Sequence, residues 1–359
     1  MIAPDQEEGA RNLLLNCVGA KPGQSLLLVG EEGPGAHFDP RTCRIVADVA
    51  RSLGLNVNVM IAPETKGKEE FPDRISKAMA TADETVFFAR LGDQIRFCPT
   101  PGSGGKTACY TLDPGYLGAP FARTDFRLMK AMETMLISRI AQARTYRITC
   151  PDGTDLVGHL DGLAEDHEPM TPFSVTLFPV MIFPPVTCAR MSGRIVLKHW
   201  LLSSSTNIYE GSVMPLPTPV NATVENGEIT GFDGEKSLVE RIKAQFERVG
   251  AMAGGKPFAV NSWHTGINPG TYYAGNATDD LERWGTVAYG SPRYTHFHAC
   301  GADPGDIAFT MIDATIAFDG HVFWRDGEYT FTDDAEVQAL KAQYPCSGDP
   351  FETRRDIGI

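Results

Sequence analysis

The sequence has no run of about 18 consecutive apolar residues, the length a membrane-spanning helix requires, so no membrane span is expected. Basic charge is scarce: 32 Lys and Arg against 45 Asp and Glu leave a net charge of −13. Such a balance repels phosphate backbones and argues against nucleic acid as a partner. Cysteines are few and scattered. The smallest gap among the eight is eleven residues, from Cys98 to Cys109, so no C-x-x-C pair is available for zinc or redox work. The start, MIAPDQEEGARNLLLNC, is acidic ahead of a short apolar run, the reverse of a secretory signal. Reduced thiols and a cytoplasmic location are expected from these two features. Nucleophile and nucleotide signatures are missing too. There is no G-x-S-x-G elbow, and Gly102 to Gly105 precede Lys106-Thr107 at the wrong spacing for a phosphate loop. Gly30-Glu31-Glu32-Gly33 puts two acids where a dinucleotide phosphate would sit.

The remaining composition is that of a globular chain. Hydrophobic residues make up 42%, and 36 Gly with 25 Pro exceed the combined average of roughly 12%. A length of 359 residues suits two domains. In the first third, apolar runs alternate with helical patterns. Ser25 to Gly30 reads as a buried strand. Pro40 to Leu53 sets Ile45, Val46, Val49 and Leu53 on one helical face, with Pro at its start and Gly54 after its end. Leu55 to Ala62 and Glu84 to Arg90 read as further strands, separated by a helix over Phe71 to Ala82. This order predicts an α/β domain over 1–145, a parallel sheet covered by helices and closed by a long helix at Arg123 to Ala143. From Tyr146 onward short strands dominate. One helix interrupts them at Lys236 to Val249, so 146–359 is expected to be a mixed α+β domain that carries the site.

Four histidines, His37, His159, His167 and His199, are isolated among charged or loop residues and read as structural. The other four, His264, His296, His298 and His321, crowd one 58-residue stretch. His296-Phe297-His298 lies in a strand pattern, where residues two apart share a face. Two imidazoles so placed can share a metal with a carboxylate from a neighbouring strand, and Met311-Ile312-Asp313 offers one. The alternative is that the histidines hydrogen-bond backbone or substrate and that Asp313 pairs with an arginine such as Arg293.

Several segments resemble one family. They are Lys21-Pro22-Gly23-Gln24 before a strand, Asp152-Gly153-Thr154-Asp155-Leu156, Gly193 to Leu197, Asn226 to Gly234, and Gly266-Ile267-Asn268-Pro269. In order and spacing, from about residue 20 to 330, they are similar to the aminopeptidase T group of metallopeptidases. The likeness is greatest to its 2,5-dihydroxypyridine 5,6-dioxygenase branch. The resemblance implies an α/β N-terminal domain, a mixed C-terminal domain holding metal, and a homodimer or larger homo-oligomer. It implies less about the ligands. The family's His-x-Asp pair falls on Met311 and Asp313, so only the acid matches. The family's second metal position falls on Ser262, with His264 two residues later on the same strand face. A further family histidine ahead of a glycine is out of phase by one with His296 and His298 ahead of Gly301. Phe183 to Arg190 has no acid where the peptidases carry one.

The resulting expectation is a relocated mononuclear site formed by His264, His296 or His298, and Asp313. It would hold a divalent metal, Fe(II) first and zinc or another ion as alternatives, and act on a small polar ring as a ring-cleaving dioxygenase. Catalytic roles fall to His264, His298 and Asp313. Arg293, Arg190, Ser262 and Trp263 are candidates to hold a substrate, the arginines by bidentate contact with a carboxylate. The second expectation is a hydrolase that opens a small amide or ring with His264 or His298 as general base. The third is a metal-free binding protein on the same fold.

Overall fold

The computed structural model describes residues 2–163, 172–204, 208–301, 306–344 and 349–359. His167 and Cys346 lie outside them. The expected strands form two sheets. In the first, β1 (Ser25–Glu31), β2 (Asn56–Ala62), β3 (Glu84–Phe88) and β4 (Gly105–Cys109) run parallel. β1 is apolar on both faces because helices cover both sides of its sheet, and Leu26 to Val29 are fully buried. The helix Pro40–Ser52 has Asp39 as its N-cap, whose carboxylate accepts from the Arg41 amide at 2.8 Å, and a proline in its first turn. Its Val46, Val49 and Ala50 are buried, and Gly54 takes up φ 82° beyond its end.

The second sheet is antiparallel and has eleven strands. The chain enters it by β5 (Thr145–Thr149) and β6 (Asp155–His159), then returns to the first sheet as β7 (Thr176–Phe178), which pairs parallel with β4. Residue 145 is therefore where the second sheet begins, but the first sheet takes its fifth strand from beyond it. The other strands of the large sheet are β8 (Val186–Thr187), β9 (Met191–Ser203), β10 (Met214–Glu225), β11 (Glu228–Asp233), β12 (Val260–Thr265), β13 (Tyr294–Ala299), β14 (Ile307–Ile312), β15 (Thr315–Phe318) and β16 (His321–Trp324). Its backbone order is β16-β15-β5-β6-β9-β14-β13-β12-β8, with β10 and β11 folded over β9.

One apolar core crosses from sheet to sheet. It joins Leu27, Val29 and Phe87 of the parallel sheet to Trp200, Tyr294 and Ala308 of the antiparallel one, with Trp284 from the helix Leu281–Ala288 between them. The segment 354–358 lies along this seam. The Arg354 amide donates to the Pro269 carbonyl, Tyr273 to Asp356, Ala277 to Gly358, and the Trp284 indole to Ile357 at 2.6 Å. Among the described residues all seven cysteines are free, and no helix is long and apolar enough to cross a membrane.

Candidate metal centre and its cavity

β12 and β13 are neighbours, and their register sets His264 opposite His296 and Ser262 opposite His298. Because strand side chains alternate, these four share one face, while Trp263 and Phe297 point into the core on the other. Trp263 packs on Tyr146, Phe183 and Phe318 there, so it lies away from the histidines. The three imidazoles are all buried, with ring centroids 4.2 to 5.1 Å apart. One ring nitrogen from each can be taken so that all three lie within 4.8 Å of one another.

The hydrogen bonding has a direction. His264 Nδ1 lies 3.1 Å from the Phe183 carbonyl oxygen, which can only accept, so the proton sits on Nδ1 and Nε2 presents its lone pair. His298 Nε2 lies 3.1 Å from that lone pair. Nδ1 of His296 and of His298 have no hydrogen-bond partner among the described residues, nor do the hydroxyls of Ser262 and Thr310 on the same sheet face. Burial pushes His264 down to about 3, helped by the nearby Arg96 charge, and pushes His296 and His298 well below the usual histidine range. All three are thus neutral near pH 7, the form that donates a lone pair to a metal.

These residues fit a divalent ion. Two nitrogens each about 2.1 Å from one ion, at tetrahedral or square angles, lie about 3.0–3.4 Å apart, which matches the His264–His298 spacing. A carbonyl accepting from the remote ring N–H, as Phe183 does for His264, is the usual way a ligating histidine is oriented.

The other expected residues are placed elsewhere. Asp313 follows the end of β14 at φ 54° and is bound in bidentate fashion by Arg293, Nε to Oδ1 at 2.7 Å and Nη2 to Oδ2 at 2.8 Å. The reason is register. His296 stands opposite Thr310 and His298 opposite Ala308, so residues 308, 310 and 312 share the histidine face, while 311 and 313 fall out of phase by one. Asp313 thus stands apart from the three histidines, which group together without it. Arg293 is committed to Asp313 and to the Arg355 carbonyl, while Arg190 is exposed and donates to the Asp161 carbonyl. Neither arginine lines the space beside the histidines. Ser262 does stand with the group, buried and opposite His298.

That space is a cavity of about 90 Å³ in the seam between the sheets. His296, His298, Tyr294, Leu202 and Ala308 form one wall. The facing wall comes from the carboxyl ends of the parallel strands, where ligands bind in open α/β sheets. Asp93 lies in the short helix Arg90–Gln94 that leaves β3, Arg96 just beyond it, and Tyr110 just beyond β4. Asp93 Oδ1 accepts from both the Arg96 guanidinium and the Tyr110 hydroxyl, the latter at 2.8 Å. The Tyr110 ring meets Tyr289 edge-on at 5.6 Å, and Tyr289 meets His296 at 6.1 Å, which joins the two walls. Glu31, outside the lining, accepts from the amides of His37, Phe38 and Arg90, which do line the cavity. An acid of the chain thus occupies the amides a phosphate would otherwise use. Sequence reasoning overlooked Asp93, Arg96 and Tyr110. The one signal for Asp93 and Arg96 was the polar string Arg90 to Arg96 directly after a strand, and Tyr110 had none.

No family model and no curated protein sequence matches the chain. Among solved structures, that of 2,5-dihydroxypyridine dioxygenase from Pseudomonas putida KT2440 matches with a TM-score of 0.60 at 15% identity, covering 91% of this chain and 97% of that one. The fold is that of the dioxygenase structure. Wild-type AmpT from Thermus thermophilus matches with a TM-score of 0.49 at 10% identity, over 90% of this chain and 98% of that one. The resemblance read from the sequence is met in the fold, a parallel sheet with helices joined to a large antiparallel sheet. At 15% identity the likeness to the dioxygenase carries the architecture and leaves the chemistry to the residues themselves.

Proposed function

We propose that this protein is a metal-dependent enzyme whose centre is His264, His296 and His298, and that it acts on a small polar ring compound. The observation that carries the reading is three buried, neutral imidazoles grouped together, two of which, His296 and His298, line a small, mostly apolar cavity. A divalent ion bound there, Fe(II) first, would bring O2 and the ring together, which is the chemistry of a ring-cleaving dioxygenase. The shared fold of the 2,5-dihydroxypyridine dioxygenase supports that choice.

The chain's own residues do the rest. The Phe183 carbonyl keeps the His264 proton on Nδ1 and so aims its lone pair at His298. Burial keeps the three rings from taking protons that would block their lone pairs. Phe38, Leu202, Tyr289 and Tyr294 give the cavity flat and apolar surfaces suited to a ring, and they exclude water around it. About 90 Å³ is the scale of one small ring and not of a polymer.

One observation favours a second reading. The converging group holds three histidines and no carboxylate, a set that zinc uses with a water in its fourth position, which would suit a hydrolase of small amides or rings. Anaerobic loading with Fe(II) or Zn(II), followed by metal analysis and oxygen uptake with 2,5-dihydroxypyridine, separates the two. Oxygen consumption that depends on bound iron is the expected result. Zinc retention without oxygen uptake favours the hydrolase. Retention of neither metal leaves a binding protein and ends both enzyme readings.

A further inference from the structure

The wall opposite the histidines holds a carboxylate that nothing in the metal reading uses. Asp93 is 6% exposed and lines the cavity. Both of its donors, Arg96 and Tyr110, reach Oδ1, and Oδ2 accepts no hydrogen bond among the described residues. A buried carboxylate is costly to leave half satisfied, since each oxygen has room for two donors. Arg96 forms an ion pair with it through Oδ1.

We infer that Asp93 is a substrate-binding residue that sets specificity, its Oδ2 accepting a hydrogen bond from a hydroxyl or ring N–H at the edge of a small ring whose other edge faces His296 and His298. The inference deepens the proposed function and rests on the cavity being the substrate site. It narrows the substrate class to rings with a donor group away from the histidines. A ring bearing an ether or a carboxylate at that position would leave Oδ2 without a donor or set it against a second negative charge. Tyr110 and Arg96 act as positioning residues, because holding Oδ1 from two sides fixes the direction in which Oδ2 points.

The test is equilibrium binding by calorimetry under argon, with hydroquinone and 4-methoxyphenol as probes, in metal-free protein and again in protein loaded with redox-inert Zn(II). The two rings differ by one donor at one edge. A hydrogen bond to a charged group predicts that hydroquinone binds at least about tenfold more tightly to the natural protein. In Asp93→Asn an amide NH2 replaces Oδ2, and the preference should fall to within about threefold. In Tyr110→Phe, which removes a single hydroxyl, the preference should take an intermediate value. A ratio near one in the natural protein, or no saturable binding of hydroquinone, overturns the inference, and neither outcome depends on a variant folding. A tenfold ratio that persists in Asp93→Asn also overturns it. The metal-free arm keeps the two readings apart: failure to retain Zn(II) counts against the metal centre, while the ratio in metal-free protein still decides the role of Asp93.

Discussion

Two aspartate–arginine pairs flank the histidines and differ chiefly in burial. Arg293–Asp313 closes the end of a strand, with side chains 12% and 25% exposed, and both carboxylate oxygens are held. Arg96–Asp93 lies at the bottom of the seam, 3% and 9% exposed, and only one oxygen is held. The first is satisfied and faces water in part, which suits a structural tie. The second retains acceptor capacity toward a cavity, which suits a binding role. The aspartate that the strand pattern singles out belongs to the structural pair, and the one that faces the cavity comes from a segment with no periodic pattern.

Metal retention should separate the histidines from both pairs by the widest margin. His264→Ala and His298→Ala are each expected to lower affinity for a loaded divalent ion by 100-fold or more, on the order of losing one ligand. Asp313→Asn should leave affinity unchanged, as measured by equilibrium dialysis and metal analysis. Loss of metal in Asp313→Asn would break the comparison, because it would restore Asp313 to the ligand set.

Stability comes next. Asp93→Ala breaks a buried ion pair and should cost about 3–5 kcal/mol in urea unfolding. Asp313→Ala, partly exposed, should cost about 1 kcal/mol. Equal costs would erase the distinction drawn from burial.

A smaller effect concerns acid. Burial and the Arg90 charge beside it push His37, which lines the cavity, down to about 4. Between that value and the ordinary 6.5 the unfolded chain binds a proton that the folded one refuses, so stability falls as pH drops through this window. His37→Gln should therefore flatten the loss between neutral pH and pH 5 by about 1–2 kcal/mol. An unchanged slope in chemical unfolding at a series of pH values would show that His37 does not contribute.

Legibility in the sequence followed periodicity. The first three parallel strands and their helices were readable because continuous apolar runs and helical faces leave strong patterns. That His296 and His298 share a face was readable because a spacing of two fixes it within one strand. Which strands would be neighbours was not readable, since pairing of β12 with β13 is set by tertiary packing across a 28-residue connection. Asp313 was misplaced for a related reason: a one-residue change of phase inverts the face, and the chain turns at φ 54° just after β14. Asp93, Arg96 and Tyr110 meet only because β3 and β4 end side by side, a relation that no local pattern encodes. β7 has three residues and so left too short a pattern to assign to the first sheet.

The segment 354–358 bears on how one wall of the cavity is held. Its hydrogen bonds fasten the helix Leu281–Ala288 and the stretch before it, through the Trp284 indole and the amides of Tyr273 and Ala277, to a remote part of the chain. On the other side, the loop carrying His37 touches the same helix through His37 Nδ1 and Thr286 at 3.2 Å and through Arg283 donating to the His37 carbonyl at 3.0 Å. The loop side of the helix is thus held by two side-chain hydrogen bonds, while its other side is held by the backbone of 354–358. Amide exchange with deuterated solvent would register this asymmetry as fast exchange over 33–38 beside slow exchange at Ala277 and the Trp284 indole.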